Sequence, residues 1–377
     1  MIVSKPPMGV NTWNTFGLNI SEDLVIGLVD EIVAKGLKEV GFEYIVLDDG
    51  WQAKTRTIEG TLREDKDKFP NGLKFLSDYI HKKGLKFGLY SCAGCMTCGG
   101  FPGSYGYEFE DAEFFASVGC DYLKYDYCYM PNLSAGNRIY HKMGMALRAC
   151  GREIVFSACN WGKDDVFSWI RSSGANMYRS TFDIFDNYKS FTGIAASQLD
   201  KLNSSGFNCF NDMDMLTVGM YGNGYVGKGG CTFEEYKTQY SLWCMYGAPL
   251  IIGCDVRKLN EESLTLLKNK NLIAIDQDEE CRPPYPIGLG VNNEKETNVL
   301  FRFLSNGIYA LAVYNFEDEQ KQQIVVFAET GIAAAKGYSW ELVDAFEESE
   351  EERHKDYFKV DVPAHGVKMY LCRLVKD

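Results

Sequence analysis

Asp121-Tyr122-Leu123-Lys124-Tyr125-Asp126-Tyr127-Cys128 reads as a short aromatic and apolar strand that ends on a carboxylate. Tyr122, Leu123 and Tyr125 carry the strand preference, and Lys124 and Asp126, two apart, project to the same side. An ammonium beside a carboxylate favours the ionised form, which suits a carboxylate nucleophile. It also suits a plain salt bridge at a strand end, so the surrounding pattern has to decide.

Working outward, the same unit recurs: a strand, an acidic or aromatic end, then a helix. Upstream lie Met8 to Trp13, then a helix capped by Ser21 and running to Val40. Phe42 to Leu47 follows, stopping on Asp48-Asp49-Gly50-Trp51. A helix Leu73 to Lys83, a strand Leu85 to Ser91, a loop Cys92 to Gly106 and a helix Glu108 to Val118 lead into the quoted strand. Downstream the reading gives a helix Asn137 to Ala149, a strand Ile154 to Cys159 and a helix Asp165 to Arg171. A strand Met177 to Ser180 comes next, then a helix Ser190 to Leu202 and a strand Phe207 to Phe210. A helix Phe233 to Met245 capped by Thr232, a strand Leu250 to Gly253 and a helix Leu259 to Lys268 complete the series.

Eight such units predict an α/β fold, a (β/α)8 TIM barrel. The open doubly wound sheet lacks its phosphate fingerprint, since Gly99-Gly100 and Gly222-Asn223-Gly224 are loop glycines. Cys281-Arg282-Pro283-Pro284-Tyr285-Pro286 marks a linker. Beyond it, alternating strands and the turn Ser305-Asn306-Gly307 predict a C-terminal antiparallel β-sandwich. The expected domains are a barrel over 1–282 and a sandwich over 287–377.

The 377 residues carry a net charge of −13, which argues against nucleic acid and anionic membranes as partners. Part of that charge is the run Glu347 to Glu352, read as a solvated turn. No stretch reaches the roughly 20 apolar residues of a membrane span. Met1 to Pro7 has no signal-peptide character, so the chain is expected to be cytoplasmic, or secreted with its leader absent from this sequence. The 13 cysteines are odd in number and lie in apolar contexts, which favours buried thiols over a full disulfide framework.

Barrel enzymes hold their chemistry at the C-terminal strand ends. Here those ends bear Asp48-Asp49, Asp126, Asp183, Asp214 and Asp255, flanked by Trp13, Trp51 and Trp161. Carboxylates with indoles around one mouth can bind hydroxyls and stack a pyranose face. Two carboxylates in one pocket can cleave a glycosidic bond, one attacking and one protonating. Asp126 fits the nucleophile, and Asp183 and Asp214 are the candidates for the proton donor. Four histidines without ligand spacing give no metal site, and Cys92, Cys95 and Cys98 lack a fourth ligand. No cofactor is expected.

These motifs resemble glycoside hydrolase family 27, the retaining α-galactosidases and α-N-acetylgalactosaminidases. The resemblance rests on Met8-Gly9 through Trp13-Asn14, Asp48-Asp49-Gly50-Trp51, Thr97-Cys98 with Pro102-Gly103-Ser104, and Tyr122 to Asp126. It continues through Arg179 and Asp183, Asn211-Asp212 with Asp214-Met215, Gly253-Cys254-Asp255, and Ile275-Asp276-Gln277-Asp278. It implies Asp126 as nucleophile and Asp183 as acid/base. It further implies Trp13 and Asp214 lining a galactose subsite, Asp48 and Asp49 on the 4- and 6-hydroxyls, Lys124 on the 3- and 4-hydroxyls and Arg179 on the 2-hydroxyl. A Cys98–Cys128 disulfide is implied as well.

Cys159 and Trp161 resemble the galactosidase version of the segment beside the 2-hydroxyl, which favours galactose over its N-acetylamino analogue. The implied partner is a neutral galactose-containing oligosaccharide or glycoconjugate, with homo-oligomerisation left open. Val10, Phe182 and Met213 depart from the family pattern, which leaves a β-L-arabinopyranosidase beside the α-N-acetylgalactosaminidase as alternatives within the family; outside it stand another barrel hydrolase of neutral oligosaccharides and a non-catalytic sugar-binding barrel.

Overall fold

A computed structural model describes residues 2–131, 136–287, 298–330, 337–347 and 352–377. Eight strands lie parallel: β1 Met8–Asn11, β2 Tyr44–Leu47, β3 Lys86–Cys92, β4 Tyr122–Asp126, β5 Val155–Cys159, β6 Met177–Arg179, β7 Phe210–Asp212 and β8 Leu250–Ile252. Their order is β7-β6-β5-β4-β3-β2-β1-β8. Leu216, just past β7, closes the curl against β8: its amide donates to Ile251 O at 2.8 Å, and the Gly253 amide donates to Leu216 O at 2.9 Å. The fold is the expected barrel.

The side-chain alternation of the quoted strand explains how it serves both barrel layers. Tyr122 points inward and packs with Tyr44, Val46, Val155, Met177 and Phe210, a plug of side chains filling the barrel interior. Leu123 and Tyr125 face outward into the apolar layer beneath the helices. Lys124 and Asp126 continue the inward row, so they emerge at the C-terminal mouth above the plug. Register aligns Tyr90 with Lys124, Cys92 with Asp126, and Cys159 with Arg179.

The helices begin where their caps say. Ser21 accepts from the Leu24 amide at 3.3 Å to start Glu22–Ala34. Thr232 and Glu235 form a capping box for Phe233–Tyr246. Three readings need correction, one of them the helix read as Ser190 to Leu202, which runs Tyr188–Gln198 because Asn187 caps it. The first helix stops at Ala34 rather than Val40, because Gly36 turns the chain at φ +70°. The seventh strand starts at Phe210, not Phe207: Phe207 is exposed, and Asn208 at φ +62° places 206–209 in a turn.

The C-terminal strands are antiparallel, as read. β9 Tyr285–Pro286, β10 Val299–Phe303, β11 Ile308–Tyr314, β13 Tyr338–Asp344, β14 Glu352–His354 and β16 Val367–Lys376 form one sheet, and β12 Lys321–Val326 with β15 Tyr357–Val362 forms a second. Asn306 at φ +61° makes the β10–β11 turn. Phe301, Leu311, Val325, Trp340, Phe358 and Val362 share the core between the sheets. The linker is less free than its prolines suggest, since Tyr285-Pro286 pairs with β10. Most of the acidic run, 348–351, lies outside the described residues.

Phe233–Tyr246 is buried on nearly every side, which suits a helix packed between two layers. Across the junction Arg302, itself buried, donates to Cys244 O at 2.8 Å and Arg282 O at 2.7 Å. Thr238 donates to His365 O at 2.7 Å. The sandwich thus braces the helix that supports β7 and β8.

Candidate active site

The ends of β2 and β4 meet first. Lys124 Nζ lies 2.7 Å from Asp48 Oδ2, with the lysine side chain 14% and the aspartate 2% exposed. Burial alone favours the neutral amine, but Asp48 and the surrounding carboxylates hold Lys124 well above the ordinary lysine range. Asp48 also accepts from Asn11 Nδ2 at 2.8 Å and the Asp49 amide at 2.9 Å. Asp49 accepts from the Gly99 amide at 2.6 Å and the Gly50 amide at 2.9 Å. Burial still pushes its carboxyl up to about 6.

Asp126 is buried and accepts from the Tyr90 hydroxyl at 2.7 Å and from the Tyr127 amide at 2.9 Å. The sequence led us to expect Lys124 to settle its ionisation. The lysine does pull the carboxyl down, yet burial outweighs it and leaves Asp126 above the ordinary carboxylate range. Cys98 and Cys128 are joined in a disulfide, Cα–Cα 5.4 Å, whose sulfurs lie 3.6 and 3.7 Å from Asp126 Oδ2. Bonded to each other, they present no thiolate beside that carboxylate. Cys92 turns away and donates to Cys128 O at 3.1 Å.

Arg179 at the end of β6 organises the opposite wall. Its Nη2 lies 2.8 Å from Asp183 Oδ1 and 2.9 Å from Asp214 Oδ2. Asp183 stands at the open side, 63% exposed, whereas Asp214 is buried. Asp214 takes φ +78°, a conformation short polar residues tolerate, and so turns its carboxylate back under the Ile184 amide at 2.7 Å. Burial raises Asp214, with Arg179 opposing. Asp212 is likewise lifted by burial, to about 6.

These groups share one cavity of about 490 Å³, counted to its open mouth. Trp13, Asp48, Asp49, Lys124, Asp126, Cys159, Trp161, Arg179, Asp183 and Asp214 all line it, whereas Trp51 is buried behind the wall, its indole N–H donating to Tyr90 O at 2.9 Å. Asn14, Tyr90, Cys98, Met215 and Val226 complete the wall. Tyr90 was missed, although its place two residues before the end of its strand is also that of Lys124. Asp255 was misplaced: it forms a paired hydrogen bond with Arg257, both distances 2.8 Å, away from the cavity.

A barrel whose mouth gathers four buried carboxylates and the exposed Asp183 around a pocket edged with indoles fits the class of glycoside-cleaving hydrolases. Residues 6–278 match the family model described as alpha galactosidase A, and residues 294–372 match the alpha galactosidase C-terminal beta sandwich domain. The chain is 40% identical over 368 residues to alpha-galactosidase 2 of Arabidopsis thaliana, covering 97% of this chain and 89% of that protein. It is 38% identical over 370 residues to the alpha-galactosidase of Cyamopsis tetragonoloba, covering 97% and 85%. The crystal structure of alpha-galactosidase I from Mortierella vinacea superposes with a TM-score of 0.89 at 31% identity, covering 98% of this chain and 97% of that one. The chain belongs to the α-galactosidase family of glycoside hydrolases, family 27.

Proposed function

We propose that the protein releases terminal α-linked galactose from neutral oligosaccharides or glycoconjugates by double displacement, with retention at the anomeric carbon. An Asp126 oxygen attacks C1 while Asp183 gives its proton to the departing glycosidic oxygen. Asp183 then takes a proton from water, which attacks C1 and frees Asp126. The observation that carries this reading is the pair itself: a buried carboxylate held by Tyr90 and a solvent-facing one held by Arg179, on one cavity. Buried Asp126 needs no proton traffic, whereas Asp183 must exchange protons with water in each cycle.

Trp13 offers a stacking face to the sugar, Asp48 and Asp49 accept from the 4- and 6-hydroxyls, and Lys124 donates to the 3- and 4-hydroxyls. Arg179 and Asp214 close the side of the 2-hydroxyl. Cys159, buried, and Trp161 line the same cavity, and their bulk on that side supports galactose over its N-acetylamino analogue.

We divide the chain into a catalytic barrel, 1–282, and a bracing sandwich, 287–377, with β9 anchoring the linker to the second unit. No helix among the described residues is long and apolar enough to cross a membrane. A disulfide against the nucleophile favours an oxidising compartment, hence the secreted alternative.

The test is hydrolysis of aryl α-galactoside, aryl α-N-acetylgalactosaminide and aryl β-L-arabinopyranoside side by side. The α-galactoside should lead. Acetamide preference would refute the reading of Cys159 and Trp161, and no turnover on any would favour a sugar-binding barrel.

A further inference from the structure

The loop that carries Trp161 to the cavity is held in a conformation its residues do not favour. Trp161, Asp164 and Asp165 take φ of +58°, +56° and +49°. Backbone of this kind persists where its surroundings impose it, and such strain clusters at functional sites. The contacts that impose it here lie outside the sugar pocket.

The loop is wedged between two strand exits. On the β6 side, Gly162 at φ +78° sits so close to the chain that an added Cβ would collide with Ser180 O. Asn160 clips the turn from within, its Nδ2 donating to Lys163 O at 2.6 Å and its Oδ1 accepting from the Gly162 amide at 3.2 Å. On the β4 side a single oxygen of Asp164, Oδ2, accepts from the Tyr127 hydroxyl. The same oxygen accepts, at 3.1 Å, from the Gly136 amide that opens the helix Gly136–Ala149. The Asp164 carbonyl accepts from the Trp169 indole at 2.7 Å.

Tyr127 links this anchor to the pocket. It is buried, its ring stacks on Tyr140, and it meets Trp161 edge-on with centroids 6.2 Å apart. Burial and the Asp164 carboxylate push its phenol up, so the hydroxyl stays a donor. Asn160 and Gly162 hold the turn to itself and to β6, whereas Asp164 ties it across to β4, the strand that ends on Asp126. Asp164 is exposed and does not line the cavity. We infer that Asp164 is a positioning residue for the wall beside the 2-hydroxyl: through Tyr127 it fixes Trp161, and so sets how strictly the pocket rejects a bulky 2-substituent. This deepens the galactose reading and rests on it. A brace of the fold alone would weaken both sugars alike, whereas a wall acts on them unequally.

The experiment measures Ki for galactose and for N-acetylgalactosamine as competitive inhibitors of aryl α-galactoside hydrolysis. It uses the unsubstituted protein, Asp164→Asn, Asp164→Gly, Tyr127→Phe and the double variant Asp164→Gly/Tyr127→Phe. Glycine accepts positive φ, so Asp164→Gly removes the side chain without adding strain. The Ki ratio, N-acetylgalactosamine over galactose, should fall about tenfold in Asp164→Gly and in Tyr127→Phe, equivalent to about 1.4 kcal/mol. The double variant should fall no further, because both changes break one link. Both donors use one oxygen, which asparagine retains, so Asp164→Asn should hold the ratio. The assignment is overturned by an unchanged ratio in Asp164→Gly or Tyr127→Phe, by two Ki values that rise together, or by losses that add in the double variant. Asp164→Asn as impaired as Asp164→Gly overturns it too. A ratio below one in the unsubstituted protein, or no hydrolysis by it, removes the galactose reading and this inference together. Galactose preference with a constant ratio across the variants removes the inference alone.

Discussion

Replacing Lys124 with methionine keeps the aliphatic stem and removes an ammonium 2.7 Å from Asp48. Both side chains are largely buried, and deleting one partner of a buried pair costs about 3–5 kcal/mol because the other charge is stranded. Asn11 and the Asp49 amide still hold Asp48, which points to the lower end of that range. At roughly 2 °C per kcal/mol for a barrel of this size, unfolding should fall by roughly 6–8 °C.

A pH signature accompanies the loss. Burial raises Asp126 and Lys124 is the first influence opposing it, so the variant's Asp126 rises further. The proposed nucleophile acts as a carboxylate, so the acid limb that Asp126 sets in kcat/KM moves to higher pH. A carboxyl raised on folding contributes stability below its unfolded value and loses it as pH rises through the folded value. The stability deficit from Asp126 therefore shrinks toward acid. Lys124→Met with Asp48→Asn removes the stranded charge and should recover more than half of the lost unfolding temperature without recovering turnover. Calorimetry and kcat/KM from pH 4 to 8 read both effects. An unchanged unfolding temperature with an unmoved acid limb, or a double variant no better than the single, would refute the reasoning.

Two further outcomes follow from the same cavity. Asp183→Ala should lose far more on substrates with poor leaving groups than on activated aryl galactosides, which need little protonation; equal losses would count against Asp183 as the acid. Asp49, lifted to about 6, is protonated in the free protein below that pH and, in the proposed binding mode, then accepts a substrate hydroxyl less well. An acid limb near pH 6 in kcat/KM should appear and should vanish in Asp49→Asn; a limb that persists there belongs to another group, with Asp212 next in line.

Local chemistry made most of the molecule legible before its fold. The caps at Ser21 and Thr232, the Asn306 turn and the inward row Tyr122, Lys124, Asp126 depend on near neighbours, and each lies where the sequence puts it. Some misreadings arise where distance in the chain decides, and two, Phe207 and Asp255, turn on near neighbours. Lys124 pairs with Asp48, 76 residues away, rather than with Asp126, and Tyr90 reaches Asp126 only through the β3–β4 register. Phe207 has strand composition but is turned out by the left-handed Asn208. Asp255 looks like any strand-end carboxylate until Arg257 takes it. Arg302 sits in an alternating strand, and only the junction reveals that it caps carbonyls of a barrel helix.

The most direct test of the two-aspartate account is proton NMR of an α-galactoside hydrolysis, followed from the first minutes. The account predicts that α-galactose appears first and then mutarotates, with Asp126→Ala folded and inactive. β-Galactose as the first product would mean single displacement by water and would contradict Asp126 as a nucleophile.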